Sequence, residues 1–300
     1  MLNNKKTATG FICLGVVAIV AAIIVSAVLR KPFYRTDIPK ELDEAVARSV
    51  FSMNGVSVSD IEVNGQTVYY AEIRDSEAFI SSECLGEGHI VLGYSVKGDS
   101  VEAYTVCSSI GYGFRDGMFL DNSGSFCVPT LIRFDRTEKG QYIFKDAQES
   151  MDGGEFVSSI RRMFPAALAD KAIAAQNDEI LRDSLHDQCD VCAAAYLRAI
   201  GREAKVGSYV DEDYKLLSDY GVSDDVCNKL LKLRPEYGFI LGNFERIENN
   251  VRYVYSVKWN GDDNGNGTVT YSKTVYGKKK PTEKFSYKVK GDKLEKVGSK

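Results

Sequence analysis

The sequence predicts an α+β fold: an N-terminal transmembrane helix, a helix plus an antiparallel sheet, a helical middle and a C-terminal four-stranded antiparallel meander. Three observations predict it. An apolar run without a charged residue extends from Ala8 to Leu29. Two later stretches alternate apolar and polar residues, and the stretch between them has apolar residues at helical spacing. The predicted units are a cytoplasmic N-terminus (1–7), a transmembrane helix (8–30), an α+β domain (38–150), a helical segment (151–235) and a β-meander (236–300).

The N-terminal apolar run is long enough to cross a bilayer, since about 20 helical residues span a hydrocarbon core of about 30 Å. Lysines precede it at positions 5 and 6, and Arg30-Lys31 follows. A cleaved signal peptide is the alternative, because Val25-Ser26-Ala27 provides small residues for cleavage, but the apolar part of a signal peptide is shorter. We therefore expect a single-pass protein of the cell membrane, held by this helix, with its C-terminal domain extracellular.

The α+β domain is predicted to begin with one helix. Pro39 suits the first turn of a helix, apolar residues follow at helical spacing from Leu42 to Met53, and Asn54-Gly55 ends the pattern. The period then changes to two, with hairpin turns between runs. One helix followed by a meander suggests a curved sheet wrapped over a helix, as in cystatin-like or nuclear-transport-factor-like cones. The predicted strands are 68–73, 89–96, 101–113, 128–135 and 142–145.

The second half is predicted to be helical and then β. The longest helix is expected over 177–200, and Ser223 can cap a shorter one that ends at Leu233. Strong alternation with one packed and one solvated face follows. The four strands of this meander are predicted at 239–246, 251–259, 268–276 and 284–290.

Cysteine usage leaves two interpretations open. Beyond Cys13 in the apolar run, six cysteines remain, a number that permits three disulfides in an exported domain without requiring them. Cys189 and Cys192 form a Cys-x-x-Cys pair, but redox pairs of this kind lie at helix N-termini and about three helical turns precede this one. Buried packing is the preferred interpretation and thiol–disulfide chemistry the alternative. His186 shares their helix face, yet a metal site needs at least one more ligand, so we expect a solvated or core histidine.

Lysines dominate the C-terminal stretch, which contains few acidic residues. On strands they are expected to cover one face, either as a solvated surface that also protects sheet edges or as an attractive surface for an anionic membrane or envelope polymer. Net charge is −4 and few aromatics accompany the lysines, so nucleic-acid binding is not predicted. The lysines are Lys278, Lys279, Lys280, Lys284, Lys288, Lys290, Lys293 and Lys296.

No other pattern specifies an enzyme, a cofactor or a metal. Residues 262–267 resemble the first half of a calcium loop, but Lys273 stands where the bidentate glutamate is required, so a plain hairpin loop is expected. Gly111 and Gly113 lack the strand–turn–helix setting of a dinucleotide site. We therefore predict no catalytic residue, no cofactor and no metal ligand.

Residues 42–165 resemble a family of uncharacterised extracytoplasmic domains of clostridia, often attached to the membrane portion of beta-lactam-sensor-like zinc metallopeptidases. The resemblance lies in the pattern and order of four segments. It implies an envelope domain with a sensory role, but no peptidase activity, because only His89 and His186 are present and no His-Glu-x-x-His motif occurs. The segments are EGHIVLG (87–93), the strand 101–113, GSFCVP (124–129) and FVSSIRRMFP (156–165).

The sequence thus leaves the function unknown within limits. The preferred hypothesis is a membrane-anchored extracytoplasmic binding or sensory module without catalytic activity. The first alternative is a structural or assembly partner of a membrane complex. The second is a thiol–disulfide oxidoreductase that uses Cys189 and Cys192.

Overall fold

The computed structural model describes residues 34–74, 82–238 and 240–299. These residues form mostly antiparallel sheet, with 45% of them in strands and 29% in helices. Twelve strands join into one sheet, in which two arrays of consecutive strands meet at a single point. The sheet, and not a succession of α+β, helical and β units, therefore organises the described part of the molecule.

The N-terminal array follows helix α1, Lys40–Met53. Pro39 precedes the first turn, and Gly55 adopts a left-handed φ of 69° just beyond the last. Six antiparallel strands then pair in chain order, and a short β7 (Val206–Gly207) adds parallel to the start of the fifth. The six are β1 (Val58–Val63), β2 (Gln66–Glu72), β3 (Cys84–Lys97), β4 (Ser100–Arg115), β5 (Met118–Arg136) and β6 (Tyr142–Glu149).

Helices cover both faces of this array. Helix α1 packs against Val101, Ala103 and Ile132 on one face. The opposite face is covered by α2 (Phe156–Met163), α3 (Ala166–Ala174) and α4 (Glu179–Ala199), which pack on core residues including Tyr104 and Tyr112. Because both faces are covered, β4 is buried along almost its whole length and lacks the alternation of a half-solvated strand.

Helix α4 lies directly on the backbone of β3. A Cβ atom at Gly86 would overlap the carbonyl oxygen of Cys189, and one at Gly88 would overlap that of Leu185. The residues between and after these glycines alternate to the other face, where His89 contacts Asp43 of α1 through Nε2 at 3.3 Å. Gly86 and Gly88 therefore leave room for α4 on one face of the sheet, and the side chains that alternate with them face α1 on the other.

The C-terminal array has five strands, one more than predicted. Helix α5, Asp224–Leu233, packs on its inner face around Tyr255, Tyr271 and Tyr287. We call the opposite side of this array the outer face. The strand missed by the sequence analysis is the last one, at the edge of the sheet. The strands are β8 (Gly242–Glu248), β9 (Val251–Gly261), β10 (Gly267–Val275), β11 (Glu283–Lys290) and β12 (Lys293–Ser299).

The two arrays meet at a ladder pair, beside which lies a buried charge network. Arg115 at the end of β4 pairs with Phe244 of β8. Beside this pair, Arg252 contacts Glu83 and also Glu245, the latter at 2.9 Å. Arg202 closes the network with two hydrogen bonds to Glu245, of 2.7 and 3.2 Å. We call these four residues (Glu83, Arg202, Glu245 and Arg252) the junction network.

The predicted fold class is wrong in its organisation. The transmembrane helix expected at 8–30 lies outside the described residues, and no helix within the described ranges is both long and apolar enough to cross a membrane. The helical middle is not a separate unit, because α2–α4 pack on the N-terminal array and α5 packs on the C-terminal one. The four-stranded meander is a five-stranded array continuous with the rest of the sheet.

Candidate functional site

The most irregular backbone of the described sheet is the stretch Asp121–Pro129 of β5. Its inner edge pairs with β4 through two register shifts, one at Gly111/Tyr112 and one at Cys107/Ser109. Such bulges re-aim side chains and are common beside functional sites. On its outer edge, the edge away from β4, strand β5 pairs with β7 only up to Leu120 and with β6 only from Thr130. Among the described residues, no strand pairs with the outer edge between these two points.

Two residues of this stretch have unusual φ angles. Cys127 has a φ of 59°, which is uncommon for a residue other than glycine. Gly124 has a φ of 146°, and a Cβ there would overlap the carbonyl oxygen of Ser109. Backbone strain of this kind is kept where surrounding contacts hold it, and it is concentrated at functional sites.

The bulged stretch lines two clefts that share the ring of Phe126. The first, of about 430 Å³, lies between β5, His186 of α4 and the segment Ser208–Val210. Its apolar lining includes Ile110, Phe126 and Val210, and Val210 is 84% exposed. The second, of about 480 Å³, lies between Phe126–Pro129 and Phe156 of α2.

Three polar groups at the first cleft contact one carboxylate. Asp121 accepts hydrogen bonds from Ser208 Oγ at 2.8 Å and from the backbone nitrogen of Tyr209 at 2.6 Å, and His186 Nε2 lies 3.1 Å away. Burial acts to raise the pKa of Asp121, but these hydrogen bonds outweigh it and lower the pKa. Asp121 thus fixes the segment that forms one wall of the cleft.

His186 lies between two carboxylates. Its Nε2 faces Asp121 at 3.1 Å, and its Nδ1 faces Asp190 at 3.7 Å. The hydrogen bond to Asp121 raises the pKa of His186, against the lowering effect of burial. The histidine singled out with Cys189 and Cys192 as a weak metal candidate therefore contacts two carboxylates instead.

This arrangement does not provide a nucleophile and base. In a Ser-His-Asp triad the serine donates to the histidine, whereas here Ser208 donates to the carboxylate and both imidazole nitrogens face carboxylates. Cys127, in the second cleft, is 1% exposed, and burial raises the pKa of its thiol. The groups at this site can therefore bind and orient a ligand but are poorly placed to attack one.

The Cys-x-x-Cys pair lies inside the core. Cys189 and Cys192 are 0% and 4% exposed within α4, and desolvation raises the pKa of both thiols. Cys192 Sγ donates to the carbonyl oxygen of Glu87 at 3.4 Å. The six cysteines of the described residues are all unpaired and buried. Packing, the preferred sequence interpretation, fits these positions.

The C-terminal lysines divide between a loop and a sheet face. Lys278, Lys279 and Lys280 are exposed in the β10–β11 loop. Lys284, Lys288 and Lys290 alternate along β11 on the outer face, and Lys293 of β12 lies opposite Lys290. Lys296 lies instead opposite the inward-facing Tyr287, and Lys258 of β9, which the sequence analysis did not include, joins the outer face opposite Thr270.

The calcium-like loop is a turn closed on itself. Asp262 Oδ1 accepts from the backbone nitrogens of Asn264 and Asn266 at 3.0 and 2.8 Å, so this carboxylate oxygen is used within the loop. Across the described ranges, no group of three or more histidine, cysteine or acidic side chains is arranged to hold a metal.

Sequence reasoning missed most of the candidate site. The missed residues come from two chain segments about 90 residues apart. One segment contains Asp121 and Phe126 and lies in a strand that was predicted too short, and the other contains Ser208 and Tyr209. Comparison of the chain with protein-family models, curated proteins and solved structures gives no match.

Proposed function

We propose that this protein is a non-catalytic binding or sensory module of the cell envelope, with its ligand site in the cleft beside the bulged stretch of β5. The observation that carries the proposal is the coincidence, within Asp121–Pro129, of two bulges, a left-handed Cys127 and two adjoining clefts. Clefts with an apolar lining and a few fixed polar groups are the usual form of a small-ligand site.

Among the described residues of this cleft, no hydroxyl or thiol is hydrogen-bonded to His186, which supports binding over turnover. Asp121 and His186 are bonded to each other. The burial and raised thiol pKa of Cys189 and Cys192 argue against the oxidoreductase alternative. A sensory or binding role needs only selective contact, which Phe126, Val210 and the fixed Ser208–Tyr209 wall can provide.

The test uses two positions of equal exposure. Val210 lines the cleft and Ile180, at the start of α4, is outside its lining, yet both side chains are 84% exposed. In a Cys13→Ser background the remaining native thiols are buried, so Val210→Cys and Ile180→Cys each introduce one reactive thiol. Each variant is exposed to a set of disulfide-capped small molecules and short peptides, and captured fragments are counted by mass spectrometry.

We expect Val210→Cys to capture a chemically related subset of fragments that Ile180→Cys does not. Replacing Phe126 by alanine in the Val210→Cys variant should abolish this preference, because Phe126 is part of the lining of both clefts. Equal capture by both cysteines would refute the binding site. Turnover of any captured compound, abolished by a point mutation, would refute the non-catalytic assignment.

The envelope location remains part of the proposal. It rests on the uncharged stretch Ala8–Leu29 and on the resemblance of residues 42–165 to extracytoplasmic domains. Protease treatment of intact protoplasts that carry a C-terminal epitope tag tests it. Loss of the tag without lysis supports an external domain, and a protected tag contradicts it.

A further inference from the structure

The outer face of the C-terminal array carries an unusual group of cations. Five exposed lysines lie on it: Lys258 on β9, Lys284, Lys288 and Lys290 on β11, and Lys293 on β12. Residues two apart on a strand are separated by about 7 Å and adjacent strands by about 5 Å. Lys288, Lys290 and Lys293 therefore form a compact group, which Lys284 extends along the strand. We call these five residues the lysine face.

Protection of a sheet edge does not account for these positions. Lysines blunt edges when they lie on the edge strand itself. Only Lys293 does so, because β12 is the terminal strand. β11 pairs with β10 and β12, and β9 pairs with β8 and β10, so the other four lysines are on interior strands.

The charges of this face are also uncompensated. Several exposed lysines elsewhere pair with acids, as in Lys40–Glu44 and Lys229–Asp225. Within the described ranges, no carboxylate oxygen lies within 4.0 Å of any lysine-face nitrogen. Residues 276–300 contain nine lysines and three acidic residues, although the whole chain has a net charge of −4. This end of an acidic protein is therefore strongly cationic.

The side chains between the lysines are mainly hydroxyls, and the one carboxylate among them, Glu295 of β12, lies opposite Lys288 but beyond 4.0 Å from its nitrogen. Thr268 lies opposite Lys288, Ser272 opposite Lys284, and Thr270 and Ser286 lie between, 3.2 Å apart at their oxygens. Hydroxyls and lysines both donate hydrogen bonds to phosphate oxygens. Surfaces that enter a bilayer place aromatic or long apolar side chains among their cations, and these positions hold none.

We propose that the lysine face binds a linear polyol-phosphate polymer, a polyanion with a phosphodiester backbone and without bases, along the direction of β11. The exposed sheet face lets several phosphates of one polymer contact several lysines at once, so that individually weak contacts combine. This surface is separate from the β5 cleft, and the proposal does not depend on it.

The experiment measures binding of end-labelled polyglycerol phosphate to the full chain in zwitterionic nanodiscs, by fluorescence anisotropy between about 50 and 200 mM salt. The test variant is Lys284→Gln/Lys288→Gln/Lys290→Gln. The matched control is Lys97→Gln/Lys139→Gln/Lys171→Gln, which removes the same charge from exposed lysines of the N-terminal array and of helix α3 that packs on it.

We expect the face variant to weaken binding at least tenfold and the control to change it less than threefold. The dependence of log K on log salt should also flatten by about 2 in the face variant, since each lost phosphate contact on a single strand accounts for about 0.7. Equal losses in both variants would show a mere net-charge effect and overturn the proposal. So would a wild-type chain that ignores the polymer and binds, through the same lysines, to nanodiscs containing anionic lipid, which would make lipid headgroups the partner.

Discussion

The outer face of the C-terminal array carries Arg252 on β9 and Lys288 on β11, and the protein surrounds these two cations in opposite ways. Arg252 is packed under the N-terminal array, contacts Glu83 and Glu245, and lies 5.2 Å from the ring of Phe114. Lys288 is exposed, with a hydroxyl on one side and Glu295 opposite it on β12, beyond ion-pair distance. One face therefore combines a compensated, buried half with an uncompensated, exposed half.

The difference teaches which charges the fold requires. A buried charge without a partner costs several kcal/mol, so the junction network exists only because its two arginines and two glutamates balance. An exposed lysine costs little and stabilises little. Charges that are exposed and unpaired, as on the lysine face, are free to be used for binding. Four predictions test whether the contribution of a charged side chain to stability decreases from the interior to the surface.

The largest effect is expected at the junction. Replacing Arg252 by methionine leaves the 2%-exposed Glu83 without its cation, so the free energy of unfolding should fall by about 3–5 kcal/mol. The matched control is Arg161→Met, which removes the exposed pair with Asp170 and should cost less than about 1 kcal/mol. Urea denaturation of both variants provides the comparison. Similar losses in the two would contradict this decrease.

His89 should make stability depend on pH. Burial lowers the pKa of His89, but the charge of Glu87 and the hydrogen bond to Asp43 outweigh it and raise the pKa from 6.5 to about 10. A raised folded-state pKa stabilises fully below pH 6.5, and this contribution is lost as pH rises toward 10. We expect a loss on the order of 2–4 kcal/mol across this window. A His89→Gln variant should flatten the profile, and an unchanged slope would contradict the assignment.

His186 tests the effect of a charged pair that is only partly buried. Its side chain is 28% exposed, so the pairs with Asp121 and Asp190 are partly screened. His186→Gln should lower the free energy of unfolding by about 1 kcal/mol, less than loss of Arg252. Because the pKa of His186 is raised, its contribution is also lost as pH rises above 6.5. Hydrogen exchange at Tyr209, whose N–H donates to Asp121, should quicken in the variant. Unchanged exchange there would mean that His186 does not fix the cleft wall.

The smallest effect on stability per residue is expected on the lysine face. The triple variant Lys284→Gln/Lys288→Gln/Lys290→Gln should change the free energy of unfolding by less than about 0.5 kcal/mol per site, because no carboxylate pair is lost. Thermal unfolding beside the wild type provides the measurement. A loss as large as that of Arg252→Met would show that these lysines support the fold and are not free for binding.

Individual elements were more predictable than their arrangement. Pro39 and Asn54-Gly55 bounded α1 correctly, and α4 begins at Glu179, where Asp178 accepts a hydrogen bond from the backbone of Leu181. These signals are local. The packing of α2–α4 on the sheet depends on contacts distant in sequence, such as Gly88 against Leu185, so three predicted units proved to be one sheet with helices on it. The last strand was missed because Lys293–Ser299 has weak apolar alternation.

The candidate site was hidden for a related reason. Strand β5 was predicted only from 128, yet it begins at Met118. The residues Asp121 to Ser125 are aspartate, asparagine, serine and glycine, which are typical of turns. Here they form a bulged strand, held by pairing with β4. The composition that suits the bulges therefore concealed the strand, and no local signal connects it to Ser208 or His186.

The way in which the two arrays meet also has a consequence for the order of folding. Apart from β5 with β7 and β4 with β8, every ladder within the described ranges joins strands that are consecutive in the chain. Hairpins of this kind close short loops and form early, whereas Arg115 must find Phe244 across a long intervening chain. We expect both arrays to form first and the contact between them last. In pulse-labelled refolding, the amide of Asp116, which donates to the carbonyl oxygen of Asn243, should be among the last to gain protection.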